Sequence, residues 1–488
     1  MAQEKKATNG VEWRINIADG SSKILVQEEG LVTRAWLGLK YLILKVWSFF
    51  KKARDVGVND PRKVVHCLKV GTALAVVSIF YFMRPLYEGV GGNAMWAIMT
   101  VVVVFENTVG ATICKSLNRV CGTTLAGMLA FSVHWVATKS GERFEPFIIG
   151  ASVFILASAA TFSRFIPSVK QRFDYGVVIF ILTFSLVAVS GYRVDKLFAL
   201  AHERLATIII GISLCIFVSM IICPIWAGRE LYTLITTNMD KLANSLDGCV
   251  DEYFNQNESD KTSDKKSLGY KCVLSSKASE ESLANFARWE PAHGSFGFKH
   301  PWKQYPKIGA SMRNCAYCIE ALTSCTGSEN QAPEFLQKQL SNVCLRVSSI
   351  SSNVIRELSE TVKTMKRSSV IDSLVEDMGS AVEELQDTVR SLSNSFNPPI
   401  ENTDTNSAPT ETDMAIPLVQ VIPLVTFASL LIEIATRIKG VVKAVKELAD
   451  LAEFKVDVED KCKENQPNSG LAQDQLKDEE TMKTLQRV

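Results

Sequence analysis

Between about residue 67 and residue 226 this 488-residue chain is mostly apolar, while both flanks are polar and charged. No other feature narrows the folds open to it as much. A helix that crosses a bilayer needs roughly 20 predominantly apolar residues. Six runs approach that length, near 67–84, 93–113, 117–138, 147–163, 176–191 and 200–226. Two are short and extend into their polar ends. The charged stretches "RFIPSVKQRFDYG" and "SGYRVDKLFALAHER" mark loops or helix ends between them. The expected fold is an all-α membrane protein, with six transmembrane helices per subunit over 61–226 and a helical cytoplasmic C-terminal domain over 227–488.

Six spans put both termini on one side, and the positive-inside rule chooses which. Lys51, Lys52, Arg54, Arg62 and Lys63 precede the first run, and Arg164, Lys170 and Arg172 lie between the fourth and fifth, whereas "MRPLYEGVGGN" is nearly neutral. Both termini are expected in the cytoplasm. The first sixty residues are polar rather than an h-region, so no signal peptide is expected. Residues 1–29 read as loosely held. Within 34–52, Trp36, Leu39, Leu42, Ile43, Val46, Trp47 and Phe50 fall on one arc of a helix, with Arg34, Lys45, Ser48 and Lys52 opposite. That is the pattern of a helix lying in the membrane interface, or of a soluble helix packed on the C-terminal domain. After Trp226 the chain is polar with helical periodicity, broken by "NQNESDKTSDKKS" and by an aromatic, Gly- and Pro-containing loop, "RWEPAHGSFGFKHPWKQYP". Residues 391–416 have the composition of a disordered linker. The apolar stretch that follows, "IPLVQVIPLVTFASLLIEIATRIKGVVKAV", is interrupted by Pro417, Pro423, Gln420 and Glu433 and reads as a buried helix of the cytoplasmic domain rather than a seventh span.

Composition removes several function classes. With 53 basic and 52 acidic residues, the chain lacks the basic domain that nucleic acid asks for. Twelve cysteines sit without regular spacing, and cytoplasmic thiols stay reduced. Cys315 and Cys318 form a C-x-x-C, but no second ligand pair stands at a spacing that suits zinc. The five histidines form no i, i+4 metal pair. "GVGGN" and "GTTLAG" lack the context of nucleotide loops, and no Ser, His and Asp grouping suggests a nucleophile. No enzyme activity, cofactor or metal is expected.

What remains is a set of cations within the apolar region. Side chains at i, i+3/i+4 and i+7 share a helix face. Lys115 and Arg119 therefore sit with Gly122, Thr123, Ala126, Ala130 and Ala137, and Arg204 with Thr207, Gly211 and Cys215, although Ile208 and Val218 share that arc. Lys69 shares a face with Thr72 and Ala73. Two explanations compete. Small residues let helices pack closely while terminal cations snorkel to the headgroups. Alternatively they leave room for a wet lumen, in which fixed positive charge replaces the hydration an anion loses. The lumen explains why the cationic and small faces coincide twice. Glu106 is expected either to pair with a neighbouring Arg or Lys or to be a solvated helix end.

The stretches "GGNAMWAIMTVVVVFENTVGATICKSLNR", "VKQRFDYGVVIFILTFSLVAVSG", "CPIWAGRELY" and "RWEPAHGSF" resemble the aluminium-activated malate transporter family of plants, over roughly residues 60 to 320. The resemblance implies a homodimeric anion channel that passes malate and other anions along a path lined by arginines. Its pore arginines correspond to Arg119 in "LNR" and Arg204 in "ERLAT", and Lys115 and Trp96 match neighbouring motif positions. Aluminium-responsive members carry acidic residues in the outward loops between the first and second spans and between the fifth and sixth. Here those loops offer only Glu88 and Asp195, with Arg193 and Lys196 adding positive charge, so activation by aluminium is not expected. In this the chain looks more like the guard-cell rapid-type anion channel branch, gated by voltage and malate. The plasma membrane is the expected location ahead of the vacuolar membrane, and Ser and Thr in the polar segments offer a regulatory kinase its targets. A proton-coupled organic-acid exporter on the same scaffold and a membrane-anchored scaffold protein are the rival readings.

Overall fold

In a computed structural model of the protein, residues 13–16, 22–25, 31–83, 94–141, 143–191, 197–254, 268–294, 296–297, 300–326, 333–396 and 418–456 are described. Glu88, Arg193, Asp195 and Lys196 lie outside them, as do residues 255–267 and 397–417. The chain divides into two compact units, Met1–Thr72 and Ala73–Val488.

The first unit begins with an antiparallel ribbon, β1 (Trp13–Asn16) and β2 (Ser22–Leu25), in which Trp13 pairs with Leu25 and Ile15 with Lys23. Residues 1–29 are therefore not wholly without regular structure. The alternation in "WRIN" supplies the period of two that a strand needs. Next comes α1 (Leu31–Asn59), which extends beyond the projected 34–52 at both ends. Asp60 alone separates it from α2 (Pro61–Phe82), whose residues from Ala73 onward belong to the second unit. Pro61 occupies the first helical position, where its missing N–H is not needed.

In the second unit α3 (Ala94–Val104) has only 11 residues, about 16 Å of helix against a hydrocarbon layer of roughly 30 Å. The expected span at 93–113 is thus not one helix. The chain breaks at Phe105 and restarts as α4 (Val109–Lys139). Side chains build the break. Thr108 is extended and its Oγ1 accepts from the Ala111 N–H at 3.3 Å, while the Glu106 N–H donates to Thr112 Oγ1 at 3.1 Å. Such bonds offer the backbone an alternative to continued helix.

Then follow α5 (Glu145–Ser163), α6 (Pro167–Gly191) and α7 (Leu197–Ile221). Helices α4 to α7 are each long and apolar enough to cross a membrane. α4 packs against α5, α6 and α7, and α3 against α7. α5 leaves Phe147, Phe154, Ile155 and Phe162 exposed; a face that apolar suits lipid, not water.

The C-terminal region is a helical bundle of α8 (Ala227–Phe254), α9 (Tyr270–Ser275), α10 (Lys277–Ala287), α11 (Gln304–Thr326), α12 (Glu334–Thr364), α13 (Val370–Phe396) and α14 (Leu418–Leu451). A short parallel pair, β3 (Lys366–Arg367) and β4 (Lys455–Val456), joins the ends of α12 and α14. α13 continues to Phe396, so the stretch from 391 that reads as linker is helical at its start. α14 also has the length and hydropathy of a membrane span. Yet Leu424, Phe427, Leu431, Ile434 and Ile438, spaced at three and four, sit in the same core as Leu231, Ile235, Met239 and Leu242 of α8. Pro423 lies inside α14 rather than ending it.

Candidate functional site

The break between α3 and α4 is also where the bundle grips the membrane helices. Glu290, in the loop after α10, has a side chain only 1 % exposed. Its carboxylate accepts from the backbone N–H groups of Gly110 at 3.1 Å, Ala227 at 2.5 Å and Gly228 at 3.0 Å. One acid therefore caps the first turns of both α4 and α8, the ends at which helix dipoles favour negative charge. Burial pushes this carboxyl up, and the three N–H donors together with His293 oppose that shift. The Val109 N–H also donates to Ile225 O at 2.9 Å. Close approach is required here: a Cβ on Gly110 would stand 2.4 Å from Phe286 O, and one on Gly228 2.4 Å from the Trp302 ring. His293 stacks on Trp226 with ring centroids 4.0 Å apart.

From that anchored end the cations rise along α4. Lys115 pairs with Glu106 and its ammonium lies 5.6 Å from the centre of the Tyr175 ring. One turn further, Arg119 is 5 % exposed and its Nη1 donates to Tyr175 Oη at 3.1 Å. Among the described residues no carboxylate pairs with it. Its Nε is buried without a hydrogen-bond partner, and so are Ser116 Oγ and Thr123 Oγ1, at i−3 and i+4 on the same side of α4. Buried polar groups ordinarily find partners, and an uncompensated charge is the costliest kind to bury. Three such groups in a row form a strip of donors.

The small residues have a different role from the one a lumen would give them. A Cβ on Gly122 would lie 2.6 Å from Gly176 O of α6. Ala126, Ala130 and Ala137 pack with Phe184, Val187 and Ala188 of α6. On α7, Gly211 meets α3, where a Cβ would stand 3.0 Å from Ala97 O. Within one chain these residues serve close helix packing. The open space adjoins them: a cavity of about 320 Å³ whose walls include Thr123 and Gly127 of α4, Thr183 and Val187 of α6, and Arg204 and Leu205 of α7.

Arg204 stands on the cavity wall with its guanidinium carbon 4.5 Å from the centre of the Trp96 ring. Trp96 belongs to α3, so the short helix orients the α7 cation. α4 starts and α7 ends beside the C-terminal bundle. At 1.5 Å per residue Arg119 lies about 15 Å from that end and Arg204 about 25 Å from it. The two guanidiniums thus form successive tiers, with Thr123 between them.

Lys69, on α2, is 1 % exposed and is described with its own unit. Cys315 and Cys318 lie buried on α11, where burial pushes the Cys315 thiol up to about 12. Three contributors escaped notice in the sequence. Tyr175 stands 56 positions from Arg119, and no helical periodicity links them. Ser116 was legible as Arg119 minus three. Glu290 lies inside a quoted motif, but nothing local ties it to Gly110.

The chain matches the sequence profile described as "Aluminium activated malate transporter" over residues 54–415. It is 52 % identical to aluminum-activated malate transporter 10 of Arabidopsis thaliana, covering 93 % of this chain and 97 % of that protein. Identity is 44 % with aluminum-activated malate transporter 2 of the same plant, over 87 % of this chain and 81 % of that one. With aluminum-activated malate transporter 1 of Triticum aestivum it is 41 %, over 84 % and 86 %. The chain belongs to the aluminium-activated malate transporter family, a family of membrane transporters and channels rather than enzymes.

Proposed function

We propose that the protein is a homodimeric, malate-permeable anion channel that conducts organic and inorganic anions passively across a plant membrane. One observation carries the reading. Arg119 is buried in a membrane helix with a tyrosine hydroxyl but no described carboxylate as partner, and Ser116 and Thr123 extend its strip of unsatisfied donors. A guanidinium in hydrocarbon is expensive unless a counter-charge or water reaches it, and an anion on the path supplies that charge. Arg204 offers a second stop beside the cavity. Met128 and Phe131 on the cavity wall are more than half exposed, a side open to a second copy. The relatives carry malate in their names.

An inside-negative potential drives each unit of anionic charge outward with about 2.3 kcal/mol per 100 mV. Opening therefore releases cytosolic malate with both termini in the cytoplasm. Voltage and malate, rather than aluminium, are the proposed triggers, because the loops between the first and second spans and between the fifth and sixth offer only Glu88 and Asp195, too few carboxylates there to hold a trivalent cation. The plasma membrane is the proposed site.

Recording from purified protein in planar bilayers tests this. Malate current that follows voltage without a pH gradient, and that Arg119→Ala removes while the variant stays folded, supports the channel. Flux that needs a pH gradient assigns the protein to proton-coupled export instead. No flux at all would leave it a scaffold.

A further inference from the structure

Among its described side chains α1 is exposed on every side from Trp36 to Val56. Trp36, Leu39, Leu42, Ile43, Val46, Trp47 and Phe50 are each at least half exposed, and together they form a continuous apolar arc. Between residues 36 and 59 the cations Lys40, Lys45, Lys51, Lys52 and Arg54 face a single acid, Asp55. Charge and apolar surface meet at one place. Trp47, Phe50, Lys51 and Arg54, at i, i+3, i+4 and i+7, stand together on one exposed face. Lys40 sits 5.7 Å from the centre of the Trp36 ring, an aromatic–cation pair nearer the start of the helix. Only Asp60 intervenes before α2 begins.

A water-facing helix has no use for two tryptophans and two phenylalanines in the open, and a neutral protein groove has no use for five cations. A bilayer with negative headgroups satisfies both: the apolar arc enters the acyl boundary, aromatics sit at headgroup level, and basic side chains meet phosphate. We propose that α1 is a recognition element for anionic phospholipid, lying along the membrane surface with Lys51 and Arg54 on headgroup phosphates beside Trp47 and Phe50. The helix thereby reports lipid charge at the threshold of α2. This rests on α2 entering a membrane and not on what the protein conducts.

Hydrogen–deuterium exchange of the full chain in nanodiscs tests it, comparing phosphatidylcholine alone with phosphatidylcholine containing one part in three of phosphatidylserine. Each cation near an anionic surface is worth roughly a fivefold gain in occupancy. Amides of residues 40–56 are expected to exchange at least about tenfold more slowly in the anionic discs, and raised salt should shrink the difference. The double variant Lys51→Glu, Arg54→Glu should abolish it, while Lys51→Arg, Arg54→Lys keeps it. Equal exchange in the two lipids overturns the proposal. So does equally slow exchange in detergent with cross-linking of α1 to a second chain, which would make the face a protein interface. Exchange is read whether or not current flows, so its failure and that of the channel reading remain separate.

Discussion

The carboxylate of Glu290 accepts a hydrogen bond at 3.1 Å from the backbone N–H of Gly110, the second residue of α4 and 180 positions earlier in the chain. The same carboxylate holds the first turn of α8. The C-terminal bundle and the helix that carries Lys115 and Arg119 therefore share one buried anchor. The link is short: about two and a half turns of helix separate Gly110 from Arg119.

Gly110 permits that link by having no side chain. In Gly110→Ala the new methyl would meet the Phe286 carbonyl at 2.4 Å and Glu290 at 2.9 Å, and backbone does not give way cheaply. A loss of about 1–3 kcal/mol is expected. Gly127→Ala, on the same helix with nothing within 4 Å, should be neutral or gain up to about 1 kcal/mol. Thermal melts of the two variants in one detergent make the comparison; equal melting temperatures would contradict the packing described.

Arg119 and Tyr175 separate charge from positioning. Arg119→Ala should lower malate current at least about tenfold through loss of the fixed charge. Tyr175→Phe removes only the 3.1 Å hydrogen bond to a charged donor, worth about 1.5–3 kcal/mol, and should keep anion selectivity while shifting conductance modestly. Reversal potentials in malate and chloride gradients distinguish the two.

Trp96 should matter through Arg204. Trp96→Leu removes a cation–π contact at 4.5 Å worth about 0.5–2 kcal/mol and frees the guanidinium to reorient. Current should fall in Trp96→Leu, but Trp96→Leu should change little further in a channel that already carries Arg204→Ala. A double-mutant cycle on conductance measures this, and additive effects would mean that the two residues act independently.

His300, in the aromatic loop, shares a 3.0 Å hydrogen bond with Tyr305, and burial pushes its pKa down to about 4. An unfolded histidine titrates near 6.5, so between these values the unfolded chain binds the extra proton. Stability from this group is present above pH 6.5 and is lost as pH falls toward 4, by up to about 2 kcal/mol once its partial exposure is allowed for. His300→Gln should flatten the acid limb of a melting-temperature profile. An unchanged limb would show that the imidazole is not held neutral.

Much of this architecture is legible along the chain because helical periodicity is a local property. The face that joins Lys115, Arg119, Gly122 and Ala126 follows from 3.6 residues per turn alone, and so does the amphipathic run in α1. A count of apolar residues goes less far. It merged α3 with the start of α4, because hydropathy is blind to a break made by the Thr108 and Thr112 hydroxyls. It also gave α14 the hydropathy of a membrane span, since a helix buried in a protein core and one buried in lipid require the same side chains.

By itself, then, the sequence determined the family, the all-helical membrane class and the cations that share helix faces, all of which depend on neighbours within a few turns. Only the tertiary structure decided that the small residues beneath those cations pack helix against helix, that Tyr175 and Trp96 steady the two arginines, and that Glu290 ties the bundle to α4. Each of these joins residues on different helices, and their distances are set by how the helices cross, which no local spacing encodes.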